Sequence, residues 1–246
     1  MNKRKVAIFV EGSTELIFVR NFLNAWYNYD TSLFSVDCYK LLSDQLNPVP
    51  YPLGSKESEN YYQIVCVGND NSVVSKMLSR AENLGRAGFA PIVGLRDMYC
   101  DLYREQSQQG RIVSVDLNEK MRRNAQEAID SRNLPNRSDI HLHFAIMEIE
   151  SWLLGMEKVT SEVVAHLALE EIKQESGWDL SQDPELSIYH PAVVLEKLLG
   201  LVGKSYGKHA DDIESLTSQL MREDYEALYG SGKCQSFHDF VDTIIK

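Results

Sequence analysis

Hydrophobic and polar positions along the first 155 residues alternate between strand-like and helix-like patterns. Val6–Val10 is an unbroken apolar run, the mark of a buried strand. Leu16, Val19, Leu23 and Trp26, with Phe22 beside them, recur at helical spacing and predict an amphipathic helix from Thr14 to about Tyr29. Phe34–Leu42 is β-branched and aromatic enough for a second strand. Asn47–Gly54 reads as a loop, because its three prolines cannot serve a central ladder. Tyr61–Val67 is the next strand, Gly68–Ser72 punctuates it, and Val73–Gly85 continues as helix. Ala90–Leu95 predicts a strand covered on both faces; a helix from about Leu117 to Ser131 and a turn at Asn133–Asn136 follow it. His141–Met147 is the last strand, and a helix opens at Glu150.

Beyond Lys158 strand signals fade, and Val159–Glu175, Ala192–Leu201, Asp211–Tyr229 and Phe237–Ile245 all carry helical patterns. Strands interleaved with helices predict an α/β fold, a mostly parallel, Rossmann-like sheet flanked by helices. The organisation expected is an α/β domain over residues 1–156 and a helical C-terminal region, 157–246, packed on it. At 246 residues, 43% of them hydrophobic, the chain can bury a sizeable core. No apolar stretch approaches the roughly 18 residues of a membrane span. The charged start, Met1–Lys5, is followed by too short an apolar run for a signal peptide, so a cytoplasmic protein is expected. Cys38, Cys66, Cys100 and Cys234 form no C-x-x-C pair and read as reduced, mostly structural thiols.

Charge narrows the function classes. A net charge of −11 argues against a protein that holds nucleic acid by bulk electrostatics alone. Its distribution is uneven: Glu162, Glu170, Glu171, Glu175, Asp179, Asp183 and Glu185 face only Lys173 between Ser161 and Glu185. Between Asp101 and Arg137 the basic residues Arg104, Arg111, Lys120, Arg122, Arg123, Arg132 and Arg137 outnumber the acids, so a nucleic-acid contact is expected only there.

Three places combine a strand end with carboxylates: Glu11-Gly12 after the first strand, Asp97 and Asp101 after the run Pro91–Leu95, and Glu148 with Glu150 after the last strand. Ligands of open α/β sheets bind at the carboxyl ends of strands. Hard oxygen donors converging there suit Mg²⁺ or Mn²⁺, which activates water and stabilises phosphoryl charge. Each acid also has a plainer role: Glu11 as a helix cap, Asp97 in a turn, Asp101 at a helix start, Glu148 and Glu150 in an exposed first helical turn. Glu148 and Glu150 share a side if the chain stays extended, and diverge if the helix starts sooner.

Val10-Glu-Gly-Ser-Thr-Glu15, Asp97-Met-Tyr99 and Met147-Glu-Ile-Glu-Ser-Trp-Leu-Leu154 resemble the TOPRIM superfamily. The likeness is to small bacterial TOPRIM-like proteins related to the nuclease domain of OLD-family proteins, and Ser205-Tyr-Gly-Lys208 and Ser236–Phe240 are similar in style. It implies a TOPRIM-like fold and a Mg²⁺- or Mn²⁺-dependent nuclease acting on DNA or RNA, in anti-phage defence or genome maintenance, often with an ATPase partner; a homodimer is also expected. By that likeness Glu11 is the metal-binding or general-base glutamate and leads the site with Asp97, the first Asp of Asp-x-Asp; Asp101, Glu148 and Glu150 supplement the metal site, and Lys208, or Lys204, approaches phosphate as a catalytic group. The second Asp of the family's Asp-x-Asp is missing, since position 99 is Tyr.

The alternative is a non-catalytic TOPRIM-like interaction subunit that recognises an ATPase through its helical C-terminal part. A small-molecule phosphohydrolase is a third possibility, without the Asp-x-Asp-x-Thr opening of one common class. His141 and His143 share a strand face but lack further metal-ligand partners, and read as a polar strand face. No G-x-x-x-x-G-K-[ST] occurs, so the chain is not itself a P-loop ATPase.

Overall fold

The computed structural model describes residues 3–50, 52–55, 57–107 and 112–246, with backbone alone at Asp70 and Asn71. Met1, Tyr51 of the proline-rich loop and Arg111 of the basic stretch therefore lie outside the described residues. Six strands, β1 (Arg4–Val10), β2 (Phe34–Leu42), β3 (Gln45–Pro48), β4 (Asn60–Cys66), β5 (Ile92–Asp97) and β6 (Ile140–Ala145), form one sheet in the order β3-β2-β4-β1-β5-β6. All neighbours run parallel except β3, which is antiparallel to β2.

Period-two alternation divides the core between the two faces of this sheet. From β1, Val6, Ile8 and Val10 enter one hydrophobic cluster, while Ala7 and Phe9 enter another on the opposite face. The second face is covered by α2 (Asp70–Arg86), with Ile129 of α4 (Val115–Asp130) reaching the same cluster. Gly94 of β5 makes that contact close: a Cβ there would stand 2.6 Å from Leu142 Cδ1 and 3.2 Å from Met77 Sδ. The first face is covered by α1 (Ser13–Trp26), α5 (Glu150–Gly155), α6 (Glu157–His166), α7 (Leu169–Ser176), α9 (Pro191–Gly200), α10 (Ala210–Thr217), α11 (Arg222–Gly230) and α12 (Gln235–Ile245). Two short helices, α3 (Asp101–Gln106) and α8 (Pro184–Ser187), complete the set.

The expected α/β architecture with its helical C-terminal region is therefore present. Four details differ from the sequence expectation. Asn47 and Pro48, the first two residues of the proline-rich segment, pair as the end of β3, which its position at the sheet edge permits for Pro48. The helix expected over Val159–Glu175 is two helices, α6 and α7, parted at Leu167–Ala168. The pattern over Asp211–Tyr229 is likewise split, because Asp224 accepts a hydrogen bond from Met221 N at 2.8 Å and starts α11 afresh. The short helices α3 and α8 have no counterpart in the hydrophobic pattern. The four cysteines carry no disulfide, and no described helix is long and apolar enough to cross a membrane.

Candidate metal centre

Asp97 is the last residue of β5, whose buried Ile92, Val93, Gly94 and Leu95 anchor it within the sheet. Its side chain is only 8% exposed, and Oδ1 accepts a hydrogen bond from Ile149 N at 3.0 Å. Beyond β6 the chain neither stays extended nor enters helix directly. Met147 takes a left-handed conformation (φ 62°), Glu148 N reaches back to Ile146 O at 3.0 Å, and α5 begins at Glu150. This turn brings Glu148 and Glu150 to one point although the chain between them is not extended. Glu148 Oε2 accepts from Ala192 N in the first turn of α9 at 3.0 Å. Glu150 is fully buried, and Tyr206 Oη donates to its Oε1 at 2.6 Å.

At the meeting point stands Lys208, itself left-handed at φ 57° and just ahead of α10. Its Nζ lies 2.9 Å from Glu148 Oε1, 3.3 Å from Asp97 Oδ2 and 3.5 Å from Glu150 Oε2. One oxygen from each of Asp97, Glu148 and Glu150 lies within 4.8 Å of the others, so the three form a group that could hold a metal ion. Carboxylate oxygens are the hard donors that Mg²⁺ and Mn²⁺ take. A metal entering between them must displace the Lys208 ammonium.

The electrostatics favour a cation here. Burial pushes the Asp97 carboxyl well above the usual range; Lys208 opposes this, and Glu15, Glu150 and Glu11 push it further up. Burial also raises Glu150, against the pull of Lys208, while the charge of Glu148 adds to the rise. For Lys208 burial acts downward but is outweighed by Asp97, Glu150 and Glu148, which raise its pKa strongly. Three carboxylates sharing one ammonium in a dry site are under-neutralised.

Of the residues singled out in the sequence, Asp97, Glu148, Glu150 and Lys208 are brought into contact. Glu11 follows β1, the neighbour of β5, and acts on Asp97 through its charge rather than as part of the three-acid group. Asp101 is not brought in: its side chain is 86% exposed and pairs with Arg104 at 2.9 Å. Lys204 pairs with Glu162 instead. Tyr99, where the resemblance would have an acid, packs edge-on against Tyr189 and His190 with ring centroids 5.6 and 5.1 Å away. Sequence reasoning missed Tyr206 as the partner of Glu150, and buried Glu15, whose Oε2 accepts from Gly12 N at 2.7 Å. Tyr206 lies two residues before Lys208, within a motif noticed only for its lysine. No protein-family model, curated protein or solved structure matches this chain.

Proposed function

We propose that the chain is a metal-dependent nuclease of TOPRIM type, hydrolysing phosphodiester bonds of DNA or RNA. The observation that carries this is the convergence of Asp97, Glu148 and Glu150 on one point at the carboxyl ends of β5 and β6, beside Glu11 at the end of β1. That is where an open parallel sheet presents its ligand site. Asp97, Glu148 and Glu150 would hold Mg²⁺ or Mn²⁺, which when bound supplies an activated water and offsets charge on the phosphoryl group.

The chain's own groups do the rest. The Ile149 and Ala192 amides and the Tyr206 hydroxyl fix the three carboxylates before any cation arrives. Glu11 takes the proton of the attacking water as its oxygen bonds to phosphorus and the leaving oxygen departs. Lys208, freed from the carboxylates, turns its charge to the phosphate. The resemblance adds an ATPase partner and a setting in phage defence or genome maintenance, in the cytoplasm.

A second reading is favoured by Lys208 itself. A built-in ammonium with three carboxylate contacts gives the acids a counter-ion without metal, as befits a non-catalytic interaction subunit. Cleavage of a mixed panel of DNA and RNA in Mn²⁺, Mg²⁺ or EDTA separates the two. The nuclease predicts metal-dependent cutting by wild type that Asp97→Asn and Glu11→Gln both abolish. No cutting leaves the interaction subunit, whereas cutting that survives both substitutions removes the proposed active site.

A further inference from the structure

The basic stretch of the chain is not used by the acid centre. Part of it, Arg122 and Arg123 on α4, lines a cavity of about 380 Å³ beside β6, the outer strand of the sheet. His143 and Phe144 of β6 form its floor, and Ser236 and Asp239 of α12 its far wall. Both arginines are exposed, and neither makes a hydrogen bond or ion pair with any described residue. Other polar groups of the lining already bond within the protein: Ser236 Oγ donates to Glu185, Asp239 Oδ1 accepts from Gln235 at 2.7 Å, and Gln126 Nε2 donates to Asp130 at 3.1 Å.

His143 is the exception. Its Nε2 is buried and has no hydrogen-bond partner. Buried polar atoms are nearly always satisfied, and leaving one bare costs about 1–3 kcal/mol. Burial holds the imidazole pKa down at about 4, with His141 and Arg122 pushing the same way and Asp239 opposing. The ring is therefore neutral at pH 7, beside two guanidinium groups with nothing to bind.

We propose that this cavity binds a phosphate group, gripped by Arg122 and Arg123 with the His143 ring beneath it. Guanidinium forks match phosphate oxygens in pairs, and a small slot with few polar groups is the ordinary form of a ligand site. An anion seated there gives His143 Nε2 a partner and favours protonation of the ring. The phosphate belongs either to the backbone of a nucleic-acid strand or to a free phosphate ion or monoester. Asp239 on the far wall disfavours a dianion, which tilts the balance to a singly charged phosphodiester. The site stands apart from the acid centre and from the nuclease reading of it.

The test follows the His143 ring by NMR in the full chain while inorganic phosphate, or separately a short oligothymidylate without terminal phosphate, is added. The expected result is a shift of the ring resonances and a rise of its pKa from about 4, lost at least roughly tenfold in apparent affinity in Arg122→Gln/Arg123→Gln. Arg132→Gln, a basic residue outside the cavity, leaves the response unchanged. A response to phosphate alone assigns a free ion, and a response to the oligonucleotide assigns a strand. No response to either probe, or one that persists undiminished in the double variant, overturns the proposal.

Discussion

Lys208 sets the stability of the acid centre in the absence of metal, because among the described residues it is the cation paired with all three carboxylates, two of them buried. Removing one partner of a buried ion pair typically costs roughly 3–5 kcal/mol, since the other charges are left uncompensated. Lys208→Met is therefore expected to lower Tm markedly in EDTA and to recover much of that loss in Mg²⁺ or Mn²⁺, as read by thermal unfolding. A variant equally unstable with and without metal would mean that the cation does not take the lysine's place. A second residue titrates where it can be read separately. Glu185 is buried against Trp152 and Ser236, whose indole and backbone N–H groups donate to it at 2.9 and 3.1 Å. Burial outweighs these donors and raises its pKa to about 7. A raised carboxyl pKa means the native state holds its proton longer than the unfolded chain. The stability it contributes is full below about pH 4.5 and is lost as pH rises through about 7. The change is on the order of 3 kcal/mol. His143, with its lowered pKa, has the opposite sign and costs stability as pH falls from about 6.5 toward 4. The difference between wild type and Glu185→Gln cancels that background: the variant is expected to lose less stability between pH 5 and 8. Parallel pH profiles would contradict the assignment.

At the scale of elements, β1 and β5 were legible because their apolar runs must be covered on both faces, and α1 because its period of about 3.6 residues is unbroken. Glu11, Asp97, Glu148 and Glu150 were legible for the same reason, as carboxylates where such runs end. What the pattern could not carry was convergence. The left-handed turn at Met147 puts Glu148 and Glu150 together, and nothing in a Met codes for it. Tyr206 and Lys208 reach the carboxylates across more than 50 residues of chain, and Asp101 opens α3 with its side chain exposed and paired with Arg104. Close packing of α2 is equally specific to one position. Gly94→Val should force Leu142, Met77 and Val73 apart at a site with no spare volume. An overpacking cost of about 1–3 kcal/mol is expected by chemical denaturation, with β5 and the placement of Asp97 disturbed. An unchanged midpoint would show that α2 can move away freely.

For the whole molecule, residues 157–246 complete the core rather than decorate it. The cluster on the first face of the sheet joins Val6, Ile8 and Phe18 with Trp152, Tyr225, Phe237 and Phe240. Trp152 packs against Phe18 and Phe240 at 5.6 Å each, and Arg4 Nη1 ties β1 to Ile244 O at 2.6 Å. Exposing that face removes several fully buried aromatic contacts, each contributing a few kcal/mol. One cooperative unfolding transition is expected for the full chain, and residues 1–156 alone are expected not to fold, as judged by circular dichroism and NMR dispersion. A well-dispersed spectrum from that fragment would contradict a shared core. The long reach of the acid centre follows from the same arrangement, since its lysine and its tyrosine come from the helical part while its carboxylates stand at or just past the ends of β5 and β6.

The most direct measurement is a calorimetric titration of the intact chain with Mn²⁺, wild type beside Glu150→Gln and Lys208→Met. A single site in wild type, lost in Glu150→Gln and tightened in Lys208→Met, is the predicted result. Absence of binding in both wild type and Lys208→Met, or binding indifferent to Glu150→Gln, would contradict the metal centre formed by Asp97, Glu148 and Glu150.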